Sequence, residues 1–309
     1  MTRAFVFPGQ GAQAVGMGRA LAEAYPAAKA VFDEVDAALG ERFSALIWEG
    51  DVETLTLTEN AQPALMATSI AAVRALGAEG ISLTSAAYVA GHSLGEYSAL
   101  CAAGAISLAD AARLLRLRGR AMQAAVPVGV GAMAALLGLD FATASEVAQE
   151  AAQGEVCQAA NDNDPAQVVV SGHRAAIERA VEIAKARGAK RAVLLPVSAP
   201  FHCALMEPAA RVMAEALDAV EIRAPEVPVV ANVRARPVDD PAVIRALLVE
   251  QVTGRVRWRE SVEWMAAQGV DEFWEIGAGK ALSGMVRRIA KEAETRAVGT
   301  PEDVAAARG

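Results

Sequence analysis

Ser93 occupies the centre of Gly91-His92-Ser93-Leu94-Gly95, a G-x-S-x-G pattern between the apolar residues 86–90, which read as a strand, and residues 94–100, which read as the start of a helix. A serine on such a strand-to-helix corner forms a nucleophile elbow, where flanking glycines permit a strained turn that lifts the hydroxyl into the open. The backbone N–H of Leu94 is then available to an oxyanion, and the helix N-terminus favours negative charge beside the serine. The same residues also fit a tight turn with Ser93 as an N-cap. A serine nucleophile needs a base, and the chain has three histidines, His92, His173 and His202. His92 adjoins the serine and should point away from it, while His173 follows a strand and suits a surface turn. His202, held between Pro200 and a helical segment, is the remaining candidate. Its neighbour Cys203 cannot easily bond to it and is read as core.

A second charged group stands out on the helix predicted from Ser107-Leu108-Ala109-Asp110, which resembles a capping box, to about residue 125. At about 100° per residue, Leu108, Ala111, Leu115 and Met122 share an apolar stripe. Arg113, Arg116 and Arg120 fall on the opposite face, predicted to be solvated. Arg118 falls on the stripe. A buried guanidinium is costly unless its donors are accepted, and a carboxylate accepts two at once. That carboxylate belongs either to an Asp or Glu of the protein or to a substrate; a snorkelling side chain is the third arrangement.

The elements that must position these groups alternate between strand and helix. A short strand at 3–7 runs into PGQGAQAVGMG, where Gly9 to Ala14 formally matches the dinucleotide fingerprint G-x-G-x-x-A. The acidic residue needed at the end of a second strand is missing, since Asp33 and Glu34 lie inside a helical pattern, so the loop fits an active-site floor better. Helices are predicted over 17–25, 27–39 and 60–76, the last capped by Gly77. Strand, helix, strand, strand, helix and strand follow at 131–139, 141–152, 156–160, 167–171, 174–187 and 192–197. This order is ferredoxin-like and places a small inserted subdomain at 129–197. Its basic cluster Lys185, Arg187, Lys190 and Arg191 reads as a solvated helix end, with a docking surface as the alternative. Beyond His202 come a strand at 227–231, helices at 241–252 and 256–268, a strand at 272–276, a glycine turn at 277–279 and a helix to about 290. Such alternation implies a mostly parallel sheet covered on both faces.

With 309 residues, 54% of them hydrophobic, the chain can bury a large core divided into two parts. No apolar run is long enough to span a bilayer, and MTRAFVFPGQG lacks the basic start and apolar core of a signal peptide, so a cytoplasmic location is expected. The three cysteines show no C-x-x-C spacing, which points to reduced thiols rather than a disulfide framework or zinc site. A net charge of −8 argues against nucleic acid as a partner.

The segments FPGQGAQ at 7–13, GHSLGEYSAL at 91–100, RLRGRAM at 116–122 and VPVGVGAMAALLGL at 126–139 resemble the malonyl-CoA:acyl carrier protein transacylases. NDNDPAQVVVSG at 161–172, VSAPFHCALMEPA at 197–209 and EIGAGKALSGMVRRI at 275–289 extend the resemblance over nearly the whole chain. It implies an α/β-hydrolase-like catalytic domain over 1–128 and 198–309 with a ferredoxin-like subdomain inserted at 129–197. It further implies Ser93 as nucleophile, His202 as base, Arg118 as binder of the malonyl carboxylate, and the N–H groups of Gln10 and Leu94 as oxyanion donors. The histidine would be oriented by the backbone carbonyl of Gln251 rather than by an acid, so Gln251→Ala is expected to disturb only packing. Ala12 and Ala278 depart from the residues common in the family, serine and proline, without touching this chemistry. Phe201 is similar to the arrangement in malonyl-selective domains.

The activity so implied is transfer of malonyl from malonyl-CoA to the phosphopantetheine thiol of acyl carrier protein through a malonyl-serine, supplying fatty-acid synthesis. Neither a metal nor a redox cofactor is expected, nor a membrane partner, and a monomer is expected. A trans-acting malonyl loader for a polyketide synthase or malonate decarboxylase is the runner-up. An esterase or thioesterase for neutral acyl groups would find Arg118 a burden in its pocket, and a non-enzymatic binding module would leave Ser93 unacylated.

Overall fold

The computed structural model describes residues 1–308. In chain order their strands are β1 (Thr2–Phe7), β2 (Ala86–Gly91), β3 (Gly131–Leu137), β4 (Cys157–Asp164) and β5 (Gln167–His173). β6 (Arg191–Leu194), β7 (Val229–Ala231), β8 (Arg236–Val238), β9 (Val270–Ile276) and β10 (Glu294–Val298) follow. They form a six-stranded sheet ordered β10-β9-β1-β2-β7-β8 and a four-stranded sheet ordered β4-β5-β3-β6.

The larger sheet is parallel except where β8 returns along β7. Parallel strands need both faces covered, and β1 shows how. Phe5 and Phe7 enter a core shared with helices Thr58–Ala78, Leu94–Ala102 and Leu108–Ala124. Ala4 and Val6, pointing the other way, pack with Trp258, Val262 and Leu282 of helices Trp258–Ala267 and Ala281–Ile289.

The smaller sheet is antiparallel throughout, and its βαββαβ order is the one read from the sequence. Ala132, Ala134 and Leu136 of β3 bury against helices Phe141–Ala152 and Arg174–Ala186. Met133 and Ala135 face the opposite side, beside Val197 and Phe201. The sheet is fastened to the larger part through β4. Asp162 N–H donates to the Val256 carbonyl at 2.9 Å, and Asp162 and Asp164 pair with Arg259 and Arg288, each at 2.8 Å.

Some elements differ from the sequence reading. Helix Thr58–Ala78 passes through Gly77, and the left-handed turn falls at Gly80, with φ 83°, because glycine permits a stop without imposing one. β10 and helix Pro301–Ala306 were not predicted; Glu294 to Ala297 are polar or part-exposed at a sheet edge and carry little apolar signal. Arg116 corrects the solvated-face expectation. It is buried over the Phe43 ring at 4.7 Å and bonded to Asn60 and Glu41, whereas Arg113 and Arg120 are exposed as predicted. In the basic cluster of the small subdomain, Lys185 and Arg187 lie at the end of helix Arg174–Ala186, where Lys185 pairs with Glu182 and Arg187 with Glu146, both at 2.8 Å, while Arg191 begins β6.

Candidate active site

Loops leave the carboxyl ends of β1 and β2 side by side, with Phe7 aligned to Gly91, and β7 flanks β2 on its other edge. Ligand crevices of open α/β sheets form at this edge. Ser93 stands on the corner with φ 54° and ψ −110°, a conformation that costs a non-glycine residue about 1–3 kcal/mol. The two motif glycines are needed for close approach. A Cβ on Gly91 would lie 1.9 Å from the Gly95 carbonyl carbon, and one on Gly95 would lie 2.3 Å from the Phe7 oxygen. The serine side chain makes no capping bond, which removes the N-cap reading.

Ser93 Oγ instead meets His202 Nε2 at 2.8 Å. The other ring nitrogen, Nδ1, is 2.9 Å from the Gln251 carbonyl oxygen. A carbonyl can only accept, so the proton sits on Nδ1 and Nε2 turns its lone pair to the serine. His202 is 4% exposed, has a left-handed φ of 56°, and is pushed down to about 3 by burial, with the Arg118 charge adding to the effect. It is therefore neutral, as a base must be. His92 bonds to Asn163 at 2.8 Å, and His173 Nδ1 accepts from the Val156 amide at 2.9 Å. Cys203 is buried core, with its sulfur 3.2 Å from the Pro200 oxygen.

Arg118 is 1% exposed. Gly119 beside it lets the two helices touch, since a Cβ there would lie 2.4 Å from Glu59 Cα. One guanidinium nitrogen donates to Gln62 Oε1 at 2.7 Å; the other donates to Gln251 Oε1 at 2.9 Å and to Ser93 Oγ at 3.1 Å. All of these acceptors are uncharged, Nε has no partner, and no protein carboxylate forms an ion pair with Arg118 among the described residues. The internal salt bridge weighed from the sequence is absent there, and the buried charge faces the cleft.

That cleft, of about 440 Å³, is lined by Gln10, Ser93, Leu94, Arg118 and His202, with Met122, Met133 and Phe201 among its apolar walls. Gln10 is set by a chain of side-chain bonds in which Gln62 donates to Thr58 and Thr58 to Gln10 Oε1, each at 2.9 Å. The G-x-G-x-x-A loop thus forms cleft wall, and helix Arg19–Ala24 begins only after it.

Sequence reasoning missed Glu96, Asn232 and the side chain of Gln251. Asn232 Oδ1 accepts the Ser93 amide at 2.8 Å and its Nδ2 donates to the Gly91 carbonyl at 2.7 Å. The Gln251 side chain joins Glu96, Arg118 and the Ser93 carbonyl, so the packing-only role expected for it is corrected. The available signal was Glu96 itself, a lone acid within LGEYSAL, every residue of which is buried.

The chain is also similar to known proteins over nearly its whole length. The acyl transferase domain family model matches residues 4–303. The malonyl CoA-acyl carrier protein transacylase of Bacillus subtilis is 49% identical over 97% of this chain and 94% of its own. That of Escherichia coli K12 is 49% identical over 98% of both chains. Among solved structures, the acyl-carrier-protein-S-malonyltransferase of Bartonella henselae superposes with a TM-score of 0.97 at 57% identity, over 99% of this chain and 98% of that one. A malonyl-transacylase solved in complex with its type II PKS acyl-carrier protein gives a TM-score of 0.96 at 43% identity, covering 99% of each chain. With an α/β fold, a serine elbow and matches of this extent, the chain belongs to the acyl transferase family, alongside the malonyl-CoA:acyl carrier protein transacylases.

Proposed function

We propose that this enzyme transfers malonyl from malonyl-CoA to the phosphopantetheine thiol of acyl carrier protein, supplying fatty-acid synthesis. The observation that carries the reading is Arg118, a buried cation that no carboxylate pairs with among the described residues, opening onto the same cleft as the Ser93–His202 pair. His202 takes the Ser93 proton as Oγ attacks the thioester carbonyl. The N–H groups of Gln10 and Leu94 receive the oxyanion, and the coenzyme A thiolate leaves with the proton from His202. Malonyl-serine remains, its carboxylate held by Arg118 in place of neutral acceptors. The carrier thiol then gives its proton to His202, attacks the ester, and departs as malonyl thioester while Ser93 recovers the proton. These steps balance through proton and acyl exchange and call on no metal or redox cofactor.

In this reading residues 1–128 and 198–309 form the catalytic domain and 129–197 the inserted subdomain, and the enzyme works as a cytoplasmic monomer. No helix among the described residues is long and apolar enough to cross a membrane. Mass spectrometry tests the proposal: malonyl-CoA alone should add one malonyl group, holo-acyl carrier protein should remove it, and Ser93→Ala should carry none. An undiminished adduct on Ser93→Ala would place the nucleophile elsewhere. Loading of a polyketide carrier is a second reading, supported by the likeness to the transacylase solved with its type II PKS carrier. Competition between carriers of the two kinds for the malonyl-enzyme decides between them.

A further inference from the structure

Glu96 lies in the first turn of the helix after Ser93, is 2% exposed, and takes part in none of the steps above. Its Oε2 accepts from Gln251 Nε2 at 2.8 Å and from the Asn232 amide at 3.0 Å. Each donor leads to a reacting group. Asn232 Oδ1 holds the Ser93 amide at 2.8 Å, and Gln251 Oε1 holds Arg118 at 2.9 Å. A side-chain amide has one donor end and one acceptor end. With Nε2 turned to Glu96 and to the Ser93 carbonyl at 3.0 Å, Oε1 must face the guanidinium. The flipped amide would set its oxygen against Glu96 Oε2, which the Asn232 N–H already holds as an acceptor, and its NH₂ against Arg118, replacing two attractive contacts by two repulsive ones.

We propose that Glu96 is a positioning residue for acyl selection: it fixes the orientation of the Gln251 amide and so aims the Arg118 guanidinium, while the same oxygen ties the elbow backbone through Asn232. The proposal rests on Arg118 as the receiver of the malonyl carboxylate. Burial pushes Glu96 up to about 7, against the pull of its two hydrogen bonds and of Arg118. Whether protonated or ionised, the group keeps an oxygen available to both donors, so the role requires an acceptor rather than a charge. Glutamine supplies that acceptor.

The test measures malonyl-serine and acetyl-serine formation for wild type, E96A, E96D, E96Q and R118A, with thermal melting to confirm folding. A hydrogen bond to a charged group is worth a factor of about 10 to 100, so E96A should lower the malonyl-over-acetyl preference by at least about tenfold. E96D, its oxygen drawn back by one methylene, should shift it the same way, and E96Q should stay within about threefold of wild type. If E96A does not fold, E96D and E96Q decide. Preference retained in E96A and E96D, equal loss of both acylations, or an E96Q as damaged as E96A would overturn the proposal. Preference lost in R118A but kept in E96A removes only the role of Glu96; preference kept in R118A removes the reading of Arg118 beneath it.

Discussion

Between the four-stranded sheet and its two helices, the buried side chains are Ala, Val, Leu, Ile and a single Cys. At the rim of the six-stranded sheet, Glu96, Arg118, His202, Asn232 and Gln251 are buried together, and Ser93 and His202 both have left-handed φ angles. The first region is held by volume and apolar area, which are forgiving of atomic detail. The second is held by directed bonds among polar groups, each of which strands a partner when it is removed. Losses in one region should therefore appear as stability, and losses in the other as chemistry.

The largest departure should come from His202→Ala, which is expected to slow malonyl-serine formation by about 10²–10⁴, the range for a general base, in stopped acylation assays. The pH dependence follows from its depressed pKa. The folded imidazole is neutral down to about 3, so acylation should not lose its base between pH 8 and 5. The unfolded chain binds a proton at this site near pH 6.5, so the folded state loses stability as pH falls from there toward 3. Melting curves of His202→Ala should lack that contribution, and an unchanged acid slope would contradict it.

Next in size, Arg118→Ala should cost about 2–5 kcal/mol of transition-state stabilisation, read from the ratio of kcat/KM values for malonyl-CoA, the loss typical of truncating one partner of a buried charge pair. Acetyl-CoA should suffer less; equal losses would mean that Arg118 serves the fold alone. Gln251→Ala keeps the carbonyl that orients His202 yet removes a bond to a charged guanidinium, worth about 1.5–3 kcal/mol. An intermediate loss of malonyl transfer is expected, and one near zero would show that the backbone carbonyl is all the residue supplies. Smallest in activity is Leu136→Ala in the other region. It should cost about 2–5 kcal/mol of stability by denaturant titration and leave acylation of the folded protein within about twofold. A drop in rate comparable to that of His202→Ala would erase the contrast between the regions.

Much of the frame was readable from the chain. Helix Phe141–Ala152 was predicted with its bounds, as was the strand-to-helix corner at Ser93, because spacing along a single element reports which side is buried. The same logic placed Arg118 on the inner stripe. It failed for Arg116, whose helix face is apolar-poor yet is covered by Phe43, Asn60 and Glu41 from other elements. It also had no access to the rim network. Ser93 meets Asn232 across 139 positions and Gln251 across 158, and these contacts exist because β7 lies beside β2 and helix Pro241–Thr253 follows it. Local periodicity records how each segment buries its own face; which distant amide completes a buried carboxyl or guanidinium is decided by strand order, after the segments have assembled.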